Sequence, residues 1–321
     1  MGERKTCWVM MSILVFSIMA LTFSSVFAEE SAKEAADNGS RLTKEGKYNE
    51  ALAELNKAIE LNPVDGDVYC LRGLVYDHLG DYMGSMIDYN KAIKLNPKSA
   101  RNYFVRGNAY FLSRDYAKAI PDCSKAIEID PAFELAYFTR GNAYNFSGKY
   151  DEAIADFTKC IEIYPQDALY YNNRGTAYGS KGASDLALAD YNKAIELDPS
   201  YAPVYRNRGV IYYNTHKLDP AISDYDMAIK VDPSFADAYN DRGTAYTEKG
   251  NGNQAIIDYT KAIELDPRYT LAYINRAQLY YLKRDFNKAW ADVRKAEGLG
   301  YDTSQDVKFI DMLKKASGRQ K

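Results

Sequence analysis

At 321 residues, 46% of them apolar and 26% charged, the chain has the makeup of a folded globular protein and is too apolar for wholesale disorder. A net charge of only −3 argues against an electrostatic nucleic-acid binder. Tyrosine is in excess, at 29 residues, and its use needs an explanation.

The chain opens with Arg4 and Lys5 ahead of a charge-free apolar run from Cys7 to Ala28. Val26-Phe27-Ala28 places small residues three apart, just before Glu29. Charge, apolar run and small residues in this order predict a signal peptide over 1–28. The run is also long enough to act as an uncleaved membrane anchor. The expectation is export to the periplasm or beyond, or an anchored chain with its remainder outside the cytoplasm. Membrane contact is expected only in the uncleaved case. Past the leader, three widely spaced cysteines remain, Cys70, Cys123 and Cys160, which form neither a disulfide framework nor a zinc pattern and read as buried thiols.

From Gly39 onward the sequence returns on itself every 34 residues. Glycine recurs at Gly39, Gly73, Gly107, Gly141, Gly175, Gly209 and Gly243, with Ala277 in the eighth place. Proline recurs from Pro63 to Pro267 at the same step, with Tyr301 in the eighth place. Alanine does so from Ala51 to Ala289, with Ser85 the one departure. The step predicts eight copies without insertion: 32–65, 66–99, 100–133, 134–167, 168–201, 202–235, 236–269 and 270–303. Within a copy the periodicity is helical. Ala153, Phe157, Cys160 and Ile161 share one face, Asp151 favours the helix start, and Pro165 prevents continuation. Glycine in the first helix and alanine in the second let two backbones approach closely. Pro121 falls inside a second helix, where a bend is expected, whereas Pro203 and Pro220 lie in first turns.

Aromatics keep the same step: Tyr69, Tyr103 and Tyr137 early, Tyr76, Tyr110 and Tyr144 a turn later, and Tyr89, Phe157, Tyr191, Tyr225 and Tyr259 in the second helix. With the glycines, alanines and prolines, these residues resemble the tetratricopeptide-repeat family over nearly all of 32–303. The resemblance implies an all-α fold, an α-solenoid coiled as a right-handed superhelix of eight helix–turn–helix repeats. It also implies that the tyrosines mostly fill gaps between helices. After the last copy, residues 304–317 predict one further amphipathic helix, opened by Thr303 and Asp306 in capping-box spacing, with Val307, Ile310 and Leu313 closing the stack.

One feature departs from the family. Where it usually writes leucine, this chain has Arg72, Arg106, Arg140, Arg174, Arg208, Arg242 and Arg276, with Asn38 in the first copy. Each second helix carries an acid: Glu54, Asp88, Asp122, Asp156, Asp190, Asp224, Asp258 and Asp292. Arginine's fork fits a carboxylate bidentately, so a structural ladder is expected. Because the first copy alone lacks the arginine, the pairing is expected to run from each arginine to the preceding copy's acid, Glu54 through Asp258.

A binding surface is sought where copies differ. Phe104, Phe111, Leu112, Leu135, Phe138 and Phe146, beside Asn108, Asn142 and Asn145, form an apolar patch rimmed with amides in copies three and four. Asn172, Asn173 and Asn207 extend the amides; Asn173, Asn207 and Asn275 match, in family terms, a partial concave asparagine ladder for peptide backbone. The expected role is a non-catalytic scaffold that binds a protein or peptide segment on its concave surface. The alternative is an architectural envelope protein acting by self-association or anchoring. The two histidines, His78 and His216, lie far apart, and no phosphate loop, nucleophile elbow or metal spacing is present, so neither catalysis nor a cofactor is implied.

Overall fold

A computed structural model describes residues 29–318; the expected signal peptide or anchor at 1–28 lies outside them. The described residues fold into α-helices joined by short turns. Helix α1 runs over 29–44, followed by α2 (Tyr48–Leu61), α3 (Gly66–Leu79), α4 (Tyr82–Leu95), α5 (Ala100–Leu112), α6 (Tyr116–Ile129), α7 (Glu134–Phe146) and α8 (Tyr150–Ile163). Then come α9 (Ala168–Ser180), α10 (Ser184–Leu197), α11 (Ala202–Asn214), α12 (Leu218–Val231), α13 (Ala236–Glu248), α14 (Gly252–Leu265), α15 (Thr270–Leu282), α16 (Phe286–Gly298) and α17 (Val307–Ser317). The first sixteen form eight pairs. They fall into two compact units, one ending at Ile163 with four pairs and one beginning at Tyr164 with four pairs and α17. Among the described residues no helix is long and apolar enough to cross a membrane.

Two kinds of turn set the alternation. Within a pair, the first helix ends on a residue in the left-handed region, as at Gly80 (φ 76°), where the Asp81 amide donates back to the Tyr76 carbonyl. Arg114, His216 and Arg284 hold this place in pairs three, six and eight, at φ 63°, 56° and 59°. Between pairs, the residue before proline is pushed out of the helical region: Asn96 has ψ 81° and Asp198 ψ 92°. The early tyrosine of the next helix then fastens the turn, Tyr205 Oη donating to the Pro199 carbonyl at 3.2 Å. That bond recurs from Tyr69 to Pro63 and from Tyr171 to Pro165, and explains part of the tyrosine excess.

Packing inside a pair is tight. A Cβ on Gly73 would lie 2.5 Å from the Tyr89 ring, and the alanines from Ala51 to Ala289 in the second helices are fully buried. Pro121 does not end its helix, since α6 continues to Ile129. Cys70, Cys123 and Cys160 are buried thiols, as expected.

The chain's end differs from the expected cap. Residues Thr303–Asp306 form a 3₁₀ turn, and α17 starts at Val307. The side chain of Asp302 takes the capping role, accepting from the Ser304 amide at 2.9 Å. Thr303 instead donates to Glu297, and Asp306 accepts from the Tyr301 hydroxyl, so no capping box forms. The later start rotates the apolar face: Phe309, Ile310 and Leu313 are buried against α15 and α16, while Val307 is 53% exposed.

Candidate functional site

The arginine ladder is built differently from the expectation. Each arginine lies midway between two turns: Arg72 is equidistant from Gly80 after it and Val64 before it. Antiparallel helices bring equidistant residues face to face, so Arg72 meets two second helices. Arg72 Nε and Nη2 donate to Asp88 at 2.7 and 2.8 Å, and Asp88 belongs to its own pair; Glu54 of the preceding pair is not its partner. The same within-pair bridge joins Arg106 to Asp122, Arg140 to Asp156, Arg174 to Asp190, Arg208 to Asp224, Arg242 to Asp258 and Arg276 to Asp292.

Only the remaining nitrogen reaches back. Nη1 of Arg72 donates to Asn56, that of Arg106 to Asn90, that of Arg208 to Asn192 and that of Arg276 to Thr260. Rings hold the guanidinium in plane, Arg72 lying 5.6 and 5.8 Å from the centroids of Tyr69 and Tyr76. The hydrogen bond that Arg72 donates to Asp88 is the chief cause that raises the pKa of Arg72. Asp156 shows the opposing force, since burial lifts its carboxyl above the usual range despite Arg140. Glu54, whose pair has Asn38 in place of arginine, keeps a buried Oε2 without a hydrogen-bond partner among the described residues. The ladder is thus occupied by its own contacts and presents no open anion site.

In the first unit the expected apolar patch divides. Phe104 and Phe138 turn inward: Phe104 packs on the cores around Tyr89 and Cys123 with its ring 4.9 Å from Phe133, and Phe138 lies 6.1 Å from Phe157. The physical reason is that Phe133 and Phe157 offer each an aromatic partner. Phe111 and Phe146 come together elsewhere, at the helix ends beside the within-pair turns. With Tyr116 they form a trio of rings with centroids 5.5 to 6.0 Å apart, Tyr116 stacked on Phe146. Phe146 is 63% exposed and its neighbour in the sequence pattern, Leu112, 69%. Leu112 lines a hollow of about 330 Å³ with Tyr82, Ala109 and Ser113. Leu135 is exposed at the start of α7, apart from the trio. Tyr116 was not among the sequence candidates, although its place just after the turn is aromatic in neighbouring pairs at Tyr48, Tyr82 and Tyr150.

The amides are less available than expected. Asn142 Nδ2 donates to the Phe138 carbonyl and Asn173 Nδ2 to that of Leu169, each within its own helix. Asn145 has a buried Oδ1 without a partner among the described residues, and Asn108 is half-buried. In the second unit Asn207 donates to Asn172 at 2.9 Å and Asn275 to Asn240 at 3.0 Å, each joining the first helices of successive pairs. A charged rung lies between them, Arg206 Nε to Asp241 at 2.7 Å. Of the asparagines expected in the ladder, Asn207 and Asn275 thus bond to asparagines of the preceding pair, while Asn173 turns back on its own helix. Among the described residues no group of three His, Cys, Asp or Glu side chains could hold a metal ion.

Family models described as tetratricopeptide repeat match residues 66–99, 100–133, 135–167, 168–201, 202–235 and 236–269, and one described as TPR repeat matches 39–80. No curated protein matches the chain. Among solved structures it is similar to the APC/C hetero-tetramer Cut9–Hcn1 (20% identity, TM-score 0.62), over 87% of this chain and 54% of that one. A tetratricopeptide repeat protein of Parabacteroides merdae is 20% identical with a TM-score of 0.64, over 77% and 98% of the two chains. Yeast Tom70 is 21% identical with a TM-score of 0.64, over 84% and 58%. The chain spans about half the length of the first of these, and at such identities the likeness is one of fold.

Proposed function

The chain belongs to the tetratricopeptide-repeat family, non-catalytic scaffolds that bind protein or peptide partners, and from that premise we propose that it holds a protein partner outside the cytoplasm. The observation that carries the reading is the ring trio of Phe111, Tyr116 and Phe146, an aromatic surface left open beside exposed Leu112. Exposed rings give large contact area at small entropic cost, which makes them good anchors for a partner's apolar side chains. The amides of Asn108 and Asn142 lie on the same first helices as Phe111 and Phe146. The leader-like 1–28 supports export.

A photo-crosslinking residue in place of Phe146 tests the surface in the native host. A discrete crosslinked protein is expected, lost when Phe111→Ala is added with helicity unchanged. The same crosslink from Lys57, on an exposed face of α2, would overturn it. Export is tested by the mass of the chain recovered from the host. A mature N-terminus near Glu29 supports it, and a full-length cytoplasmic chain refutes it.

A further inference from the structure

A hollow of about 630 Å³ opens between α1, the end of α2 and the start of α3, all within the first unit. Its floor is apolar: Ala32, Ala58 and Val68 are buried there, and Ala36 and Leu71 are half-buried. Its rim is acidic. Glu29, Glu30, Asp37, Asp65 and Asp67 line it against a single cation, Lys33. Arg41 and Lys47 of the same pair are instead engaged by Glu45. In a chain cut before Glu29, the α-ammonium created there would still leave carboxylates in excess.

This acidity is not part of the repeat. At the place of Asp67 the next copies write Arg101 and Leu135, at that of Asp37 Leu71 and Val105, and at that of Glu30 Val64 and Lys98. Helix-end chemistry accounts for Asp65, which caps α3 by accepting from the Asp67 amide at 3.0 Å, and it suits Glu29, Glu30 and Asp67 in first turns. It does not account for Asp37 in the middle of α1, nor for the apolar floor left open below it. Among the described residues no three acidic side chains converge closely enough to hold a metal ion. Negative charge spread around an apolar floor suits several cations carried on one chain, not a single ion.

We propose that this hollow receives a short basic segment of the protein partner, an apolar side chain flanked on both sides by lysine or arginine. The apolar side chain rests on Val68 and Leu71, and the flanking cations meet Glu30, Asp37 and Asp67. Long basic side chains suit both parts, since their methylene stems lie along the alanines while their heads reach the rim. The hollow's size is that of a site for a few side chains. The inference rests on the scaffold reading but uses a different surface from the ring trio.

The test is a titration of the full chain with the dye-labelled peptide KAKVKAK, blocked at both ends and followed by fluorescence anisotropy. Saturable binding is expected, weakening as salt is raised, with none of EAEVEAE. The triple variant Glu30→Gln, Asp37→Asn, Asp67→Asn alters exposed side chains only and should bind roughly tenfold more weakly. Changing Glu128, Glu162 and Glu196 to Gln, on exposed faces of second helices elsewhere, removes the same charge and should leave the affinity unchanged. A benzophenone in place of the peptide's valine should crosslink within 29–40 or 62–71. No saturable binding, equal weakening by the two triple variants, crosslinks elsewhere, or spermine bound as tightly as the peptide would overturn the proposal. So would self-association that the peptide disperses, since a second copy would then be the occupant. Failure here with the Phe146 crosslink retained removes the basic-segment site and leaves the scaffold reading standing; loss of that crosslink alone does the reverse.

Discussion

Replacing Arg208 by Met should destabilise the second unit by about 3 kcal/mol, and a double-mutant cycle should assign that loss to Asp224 rather than Asp190. Arg208 makes two charge-assisted bonds to Asp224, at 2.8 and 2.6 Å, and a third to Asn192 at 2.6 Å. Methionine keeps the stem's packing but leaves Asp224, whose side chain is only 6% exposed, without its counter-charge. Removing one partner of a buried pair costs about 3–5 kcal/mol; the guanidinium is 20% exposed and water can reach the gap, which favours the lower figure. The assay is urea unfolding followed by circular dichroism for Arg208→Met, Asp224→Asn, Asp190→Asn and the two doubles. A coupling on the order of 2 kcal/mol is expected between Arg208 and Asp224, and less than about 0.5 kcal/mol between Arg208 and Asp190. Equal couplings, or a larger one to Asp190, would refute the within-pair clamp.

Arg114→Gly and Arg284→Gly should each stabilise the chain by about 0.5–1 kcal/mol, because glycine relieves a left-handed backbone at a modest entropic cost in the unfolded chain; thermal unfolding of the single variants measures this. Gly209→Ala should cost about 1–3 kcal/mol, since its Cβ would lie 2.7 Å from the Tyr225 ring, and the same unfolding experiment reads it. In a Cys7→Ser chain, Cys70 and Cys123 should resist a thiol reagent until unfolding, burial having pushed their pKa values to about 11 and 12. Carboxyl NMR titration should find Asp156 and Asp241 protonating above Asp115 and Asp285, which hydrogen bonds from Lys118 and Lys288 hold low. Raised native pKa values mean that the folded chain binds those two protons more tightly than the unfolded one. Their contribution to stability therefore falls as pH rises from about 3.9 through the native values.

The helix pairs were legible because Gly73, Ala119 and Pro131 each mark a position where only one kind of residue fits, and the mark recurs at one step. The partner of Arg72 was not read correctly, since a strict repeat writes the same letters whether an arginine meets the acid ahead or the acid behind. Symmetry about Gly80 was the signal that could have decided it. Phe104 and Phe146 look alike in sequence, yet one is covered by Phe133 and the other stands open, a difference made by side chains from another helix.

Because the arginines reach backward within each unit, as Arg72 does to Asn56 and Arg276 to Thr260, the clamp has a polarity, and the first and last pairs are chemically unlike. In the first described pair Asn38 stands where the later pairs have arginine, so that pair makes no such backward bond. At the finish, two residues beyond Asp292, where Asn90, Asn192 and Thr260 accept in earlier pairs, stands Arg294, which can only donate. An arginine arriving from a ninth pair would meet like charge. The last described pair thus offers a donor where earlier pairs offer an acceptor, beside the apolar end that α17 covers.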